Sequence, residues 1–233
     1  MRVKYFIMME IEICCNSIQS ALNALRGGAT RIELCHDLEG GGVTPSAGAI
    51  SYCTNELGLR TRVLIRPRRG DFVYSDAEFE VIRRDVLLCK ELGAEAVVVG
   101  FLTPDGKIDI ERTCEIVQLA APMEVTFHRA FDELAPEAAP EALEQVIACG
   151  CHKLLTSGCA PTAIEGAEVI KALVDQADGR IGIIAASGVT PDTLPDILAR
   201  THVREAHGSC KMNTPNGIVT DEVHVKKLIE IQR

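Results

Sequence analysis

Several things are missing from this chain of 233 residues. Tryptophan is absent and aromatic side chains make up 4% of the sequence. No apolar stretch approaches the roughly 18 residues needed to span a bilayer, so membrane insertion by a helix is not expected. Arg2 and Lys4 precede the short apolar run Tyr5 to Met9, but Glu10 and Glu12 follow it and no small-residue cleavage site appears. That does not make a signal peptide, and a cytoplasmic location is expected. Basic residues are outnumbered, 24 Lys and Arg against 33 Asp and Glu, for a net charge of −9. Such a chain is a poor partner for nucleic-acid phosphates and is weakly repelled by anionic membrane surfaces. No C-x-x-C occurs among the ten cysteines, which excludes zinc-ribbon and thioredoxin spacings. In a reducing compartment most of them are expected as free, packed thiols. No G-x-G-x-x-G turn is present, so no nucleotide cofactor is expected.

What is there is a rhythm. Short β-rich runs occur at Glu10–Cys15, Arg31–Cys35, Arg62–Pro67, Ala96–Leu102, Glu124–Arg129, Lys153–Ser157, Arg180–Ala186 and Arg204–Ser209. Stretches with helical apolar spacing separate them, at about 29 residues per unit, close to a βα unit. Gly28, Gly58, Gly93 and Gly150 stand where helices end before a strand. Thr44-Pro45, Thr190-Pro191 and the pair Ser75 and Glu78 read as helix starts. Eight such units over residues 1–233 predict one α/β domain, a single (β/α)8 TIM-type barrel. An open doubly wound sheet is the rival.

Strand alternation then sorts the side chains. Ile11, Ile13 and Cys15 share the face that packs on helices, leaving Glu12 and Cys14 inward. By the same rule Glu33 and Cys35, Leu64 and Arg66, Thr126 and His128, and Glu205, His207 and Ser209 point into the barrel. A barrel interior is normally filled by branched apolar residues. Buried charge is costly even when paired. So polar a lumen points to a site at the carboxyl ends of the strands, against the plainer alternative of a neutralised network around Arg66. Cys14 and Cys35 end adjacent strands about 4.8 Å apart. Two thiolates suit Cu(I), and zinc also accepts sulfur; two packed cysteines are the alternative. Cys149 and Cys151 fall on the opposite, amino-terminal face and are expected only to pack. Cys210 is close enough to reach the rim.

The loops after the strands add candidates. Gly40-Gly41-Gly42 could hold an anion on backbone N–H groups, a weak signal against a flexible turn. Arg66, Arg68 and Arg69 cluster after the third strand, where they either draw in an anionic ligand or are solvated. His128 and Arg129 end the fifth strand with Asp132 close behind, and a histidine there can act as acid, base or ligand. Thr156-Ser157-Gly158 and Ser187-Gly188 follow the sixth and seventh strands, as in phosphate pockets. No lysine lies within a strand near its carboxyl end, which disfavours a Schiff-base aldolase.

The segments Glu12-Ile13-Cys14, Arg31-Ile32-Glu33-Leu34-Cys35, Gly41-Gly42-Val43-Thr44-Pro45-Ser46, Ile65-Arg66-Pro67-Arg68, Gly70-Asp71-Phe72-Val73-Tyr74-Ser75, Val125-Thr126-Phe127-His128-Arg129-Ala130-Phe131-Asp132 and Leu155-Thr156-Ser157-Gly158 together resemble the CutC family. The likeness runs from about residue 9 to the eighth strand. It implies a (β/α)8 barrel, a cytosolic location, a role in copper homeostasis and Cu(I) binding at the cysteines that match Cys14 and Cys35. It also implies a homo-oligomer. The chain departs from the family pattern at Arg69 and Ala186, where glycine is usual, and at Ala206, where a larger apolar residue is usual.

Two functions are therefore expected in competition. One is a copper-binding barrel with Cys14 and Cys35 as ligands and His128 or His207 in support. The other is an enzyme acting on a small anionic substrate, a carboxylate or phosphate. There Glu33, His128, Asp132 and His207 are the catalytic candidates, and Arg66, Arg68, Arg129 and Ser157 hold the anion.

Overall fold

The structure, a computed structural model, describes residues 9–215 and 217–231. The expectations for Arg2, Lys4 and most of the Tyr5 to Met9 run lie outside the described residues. Eight parallel strands close into a barrel: β1 (Glu10–Cys15), β2 (Arg31–Leu34), β3 (Arg60–Leu64), β4 (Ala96–Val99), β5 (Glu124–Phe127), β6 (Lys153–Thr156), β7 (Gly182–Ala186) and β8 (Glu205–Gly208). Each pairs with its sequence neighbour, and β8 returns to β1. The barrel read from the sequence is therefore the fold, and the open sheet is ruled out. β3 starts two residues early, at Arg60, and stops before Arg66, whose N–H bonds to the Thr44 hydroxyl at 3.0 Å instead of to a strand.

Helices α1 (Ile18–Arg26), α2 (Ala47–Ser51), α3 (Asp76–Glu91), α4 (Ile110–Ala120), α5 (Ala139–Ala148), α6 (Ala167–Ala177), α7 (Leu194–Thr201) and α8 (Glu222–Ile231) accompany the strands. α3 illustrates why they form. Ser75 and Glu78 close a reciprocal capping box at its start, and Phe79, Ile82, Val86 and Cys89 form one buried stripe. Each large apolar side chain buried in this way contributes about 1.5–3 kcal/mol, so packing rather than propensity holds the helix down. Two predicted helix starts move. α2 is capped by Ser46, not Thr44, because the Thr44 hydroxyl is occupied by Arg66. α7 begins at Leu194, and Thr190 bonds Thr193 across a preceding turn.

The outward residues Ile11, Ile13, Cys15, Ile32, Leu34, Val63, Val125, Phe127 and Ala206 all join the main apolar core between sheet and helices. An antiparallel hairpin, β9 (Lys211–Thr214) and β10 (Gly217–Thr220), follows β8 and was not foreseen. It is tied to α1 by Asn23, whose amide donates to the Thr220 carbonyl at 2.8 Å, and by Ser20, which accepts from the Thr220 N–H. Cys149, expected only to pack, is joined to Cys114 by a disulfide between α4 and α5. Their separation of 35 residues hid the pairing from the sequence. The other eight described cysteines are free thiols.

The lower lumen is ionic, and its centre is not where the sequence suggested. Arg66 has no carboxylate partner among the described residues. The network gathers instead around Arg31 and Arg62, both fully buried. Arg31 meets Glu12 at 3.0 Å, Glu205 at 2.7 Å and Glu10. Arg62 meets Glu12 at 3.4 Å, Glu95 at 3.3 Å and Glu124, and donates to the Thr126 hydroxyl at 2.8 Å. Arg60, Lys153 and His207 complete five cations against the five carboxylates of Glu10, Glu12, Glu95, Glu124 and Glu205. Balanced in this way the charges tolerate burial; unbalanced they do not. Arg31→Ala removes the cation that three carboxylates share and leaves the network one positive charge short, so it is expected to lower the unfolding free energy by about 3–5 kcal/mol, measured by urea denaturation at neutral pH.

Candidate functional site

Above this ionic layer the barrel opens, at the carboxyl ends of its strands, into a cavity of about 720 Å³. Its floor is set by β1 and β2. Their register puts Cys14 beside Glu33, and the next inward residue of the second strand run is Cys35. The two sulfurs lie 3.9 Å apart, and Cys14 is 4% exposed and Cys35 2%. Leu64, Val98 and Leu38 pack around them. Cys14 Sγ also stands 4.0 Å from Glu33 Oε1. One ligand atom each from Cys14, Glu33 and His207 falls within 4.8 Å of the others, the one such group among the described residues.

Burial and a shared ionic neighbour set the protonation of this floor. Glu12 would be raised by burial, but the hydrogen bond from His207 and the charges of Arg31 and Arg62 hold it at about 2. His207 would be lowered by burial, yet Glu33, Cys14 and Glu12 raise it well above its ordinary value. Its Nδ1 lies 2.8 Å from Glu12 Oε1, a contact that suits an imidazolium donor. Glu33 moves the other way. Burial, with repulsion from Glu12, outweighs His207 and Arg62 and lifts its carboxyl to about 7. The Cys14 thiol is pushed up by its hydrogen bond with Cys35 and by burial. The floor thus holds a neutral Cys14 thiol and a protonated imidazole.

The other wall carries Arg66, Phe72 and His128. Arg66 is 6% exposed, and its guanidinium donates to the carbonyls of Gly42 at 3.0 Å, Gly70 at 2.5 Å and Gly40 at 3.4 Å. This corrects the role expected of the triple glycine. Its N–H groups are spent on Asp37 and Leu38 within the turn, so it offers carbonyls to an arginine rather than N–H groups to an anion. Gly41 at φ 85° lets the turn pass so close to Arg66 that a Cβ would stand 2.9 Å from its nitrogen. Arg66 stacks on Phe72 at 4.9 Å, and Phe72 packs on the His128 ring, also at 4.9 Å. His128 fits only because Gly100 has no side chain: a Cβ there would lie 2.3 Å from its Nδ1. Burial first, then Arg66, lowers His128 to about 3, so it is a neutral imidazole.

The remaining sequence candidates divide. Arg129 lines the cavity while bonding Asp132 at 2.8 Å and Ser157 at 3.1 Å. Asp132 does not line it. Its carboxylate accepts from Thr156, the Ser157 and Cys159 N–H groups, the Ser157 hydroxyl and Arg129. It is a tie between loops, and Ser157 is consumed in the same tie. Arg68 pairs with Glu78 and Asp71 outside the cavity, and Arg69 pairs with Asp37. His128 stands on the arginine wall and is not part of the Cys14 group. Ser187 and Cys210 do line the cavity, both at positive φ, 74° and 46°. Sequence reasoning missed Lys211, His224 and Lys227 at the rim; no strand or helix periodicity marks them. It also missed Arg31 and Arg62, which parity with Glu33 and Leu64 could have found.

A closed parallel barrel whose lumen holds thiols, a buried carboxyl and an arginine wall defines a (β/α)8 protein with a polar cavity in place of an apolar lumen. The chain belongs to the CutC family, whose profile matches residues 9–212. It is 45% identical to the family protein CutC of Porphyromonas gingivalis over 90% of this chain and 84% of that one. It is also 45% identical to the mouse copper homeostasis protein cutC homolog, over 89% of this chain and 76% of that one. The crystal structure of a CutC protein from Streptococcus agalactiae superposes with a TM-score of 0.82 at 34% identity, covering 87% of this chain and 99% of that one.

Glu33 and His128 tilt stability with pH in opposite senses. Between about 3 and 6.5 the unfolded chain takes up a proton that folded His128 refuses, so His128 makes stability rise with pH. Between 4.5 and about 7 folded Glu33 keeps a proton that the unfolded chain has lost, so Glu33 makes stability fall as pH rises. From about pH 5 to 6.5 the two offset each other. Glu33→Gln is expected to give a melting temperature that climbs more steeply with pH across this window than that of the wild type. His128→Gln should flatten or reverse it. Scanning calorimetry of the metal-free protein at stepped pH checks both.

Proposed function

We propose that this CutC-family protein takes part in copper homeostasis in the cytoplasm and binds Cu(I) as its cargo through Cys14 and Cys35. The observation that carries the reading is two buried sulfurs 3.9 Å apart, one of them on Cys14, which lines an open cavity. Two thiolates are the donors that Cu(I) prefers. The sulfur spacing is shorter than two metal–thiolate bonds of about 2.3 Å each, so one ion reaches both sulfurs where they stand. Glu33 is the adjacent group able to add a carboxylate donor once it gives up its proton, and His207 stands in the same group of side chains. The copper homeostasis name borne by the mouse relative supports the same reading. Among the described residues no helix is long and apolar enough to cross a membrane, which accords with a cytoplasmic carrier.

Anaerobic competition with a strong Cu(I) chelator tests the claim. The wild type is expected to hold one ion, and a Cys14→Ser, Cys35→Ser variant to lose at least about tenfold in affinity. Equal affinity in both removes these residues from the site.

A second reading is favoured by the arginine wall, which a copper site does not require. In it the cavity belongs to an enzyme that acts on a small anionic molecule, with Glu33 or His128 moving a proton. Incubation with a panel of small carboxylates and phosphate esters, followed by mass spectrometry, is expected to reveal one compound consumed by the wild type and spared by Glu33→Gln.

A further inference from the structure

The arginine wall is not satisfied by the protein's own groups. Arg66 is a buried cation with no carboxylate within ion-pairing distance among the described residues; its guanidinium bonds the neutral carbonyls of Gly40, Gly42 and Gly70, and the Tyr74 hydroxyl beside it is neutral too. Its Nε is buried and has no hydrogen-bond partner. A buried charge left in this state is costly.

His128 carries the same deficit. Its Nδ1 accepts the Ala130 N–H at 3.1 Å. In a neutral imidazole the proton then sits on Nε2. That Nε2 is also buried without a partner. Two donors from residues lining one cavity, bracketing the Phe72 ring, are thus unmatched.

The rim repeats the bias. Arg66, Arg129, Lys211 and Lys227 line the cavity against the carboxyl groups of Glu33 and Asp192, although the whole chain carries a net charge of −9. Acidic proteins do not gather cations in a cavity by default. A field of this sign raises the local concentration of an anionic ligand.

We propose that the Arg66–Phe72–His128 wall seats an oxyanion group, a carboxylate or a phosphate, carried by a small organic molecule whose remaining atoms lie in the barrel cavity above Cys14. The oxyanion accepts from Arg66 and from His128 Nε2–H, and Phe72 packs beside it. This gives the enzyme reading its ligand wall, but it needs neither copper nor turnover to hold.

The test is calorimetric titration of metal-free protein with malonate, inorganic phosphate and glycerol 3-phosphate, in the wild type, Arg66→Lys and His128→Phe. At least one anion is expected to bind the wild type. Loss of a charge-assisted donor should weaken that binding by about tenfold in each variant. His128→Phe keeps a ring against Phe72 while removing the Nε2 donor, together with the Nδ1 acceptor of the Ala130 N–H, so it reads the site even if Arg66→Lys fails to fold. Binding by malonate alone assigns the group to carboxylates; binding by phosphate or its ester alone assigns it to phosphates. The titration contains no copper, so its outcome and that of the copper competition are read separately. Absence of binding by all three anions, or equal binding by the wild type and His128→Phe, overturns the proposal.

Discussion

The Glu12 carboxylate is the hinge between the two halves of this barrel. One oxygen lies against Arg31 and Arg62 in the ionic layer below, at 3.0 and 3.4 Å. The other receives His207 at 2.8 Å, on the floor of the cavity above. An ion buried so deeply survives only with partners on every side. Glu12 therefore demands the two arginines, and it also demands that His207 keep its proton. Glu33 and Cys14 favour that proton from within the floor, and Glu12 adds to them from beneath.

That dependence explains how a (β/α)8 barrel can do without a fully apolar lumen. Among the described residues only two small apolar clusters remain inside, Cys14, Cys35, Leu64 and Val98 on one side and Leu155, Ile184 and Ala186 on the other. The ionic layer substitutes for stacked branched residues at the amino end, and by filling the lumen there it leaves the carboxyl end open. The aliphatic packing that stabilises the domain lies outside the sheet, against the helices. Stability and function are thus separated by strand face: odd residues of β1 hold the helices, even residues build the site.

Within the cavity two unlike chemistries face each other. The floor offers sulfur and a carboxyl whose proton is retained near neutral pH by burial. The wall offers an arginine held by carbonyls and a neutral imidazole donor. Glycines make both halves of the wall possible, Gly41 by passing close to Arg66 and Gly100 by yielding space to His128. The loops that resemble phosphate pockets, around Ser157, are instead locked by Asp132.

Alternation in the sequence by itself determined the eight barrel strands, their inward faces and the pairing of Cys14 with Cys35, because a period of two along a strand is a local property. It determined the barrel because eight βα units leave few other ways to bury their apolar faces. What Arg66 bonds to, why Asp132 is occupied, how Cys114 finds Cys149 and which rim residues reach the cavity were decided only by the tertiary structure. Those contacts join segments tens of residues apart. Which acceptor a long arginine or a loop carboxylate meets depends on where the barrel's closure carries each loop, and nothing local encodes that.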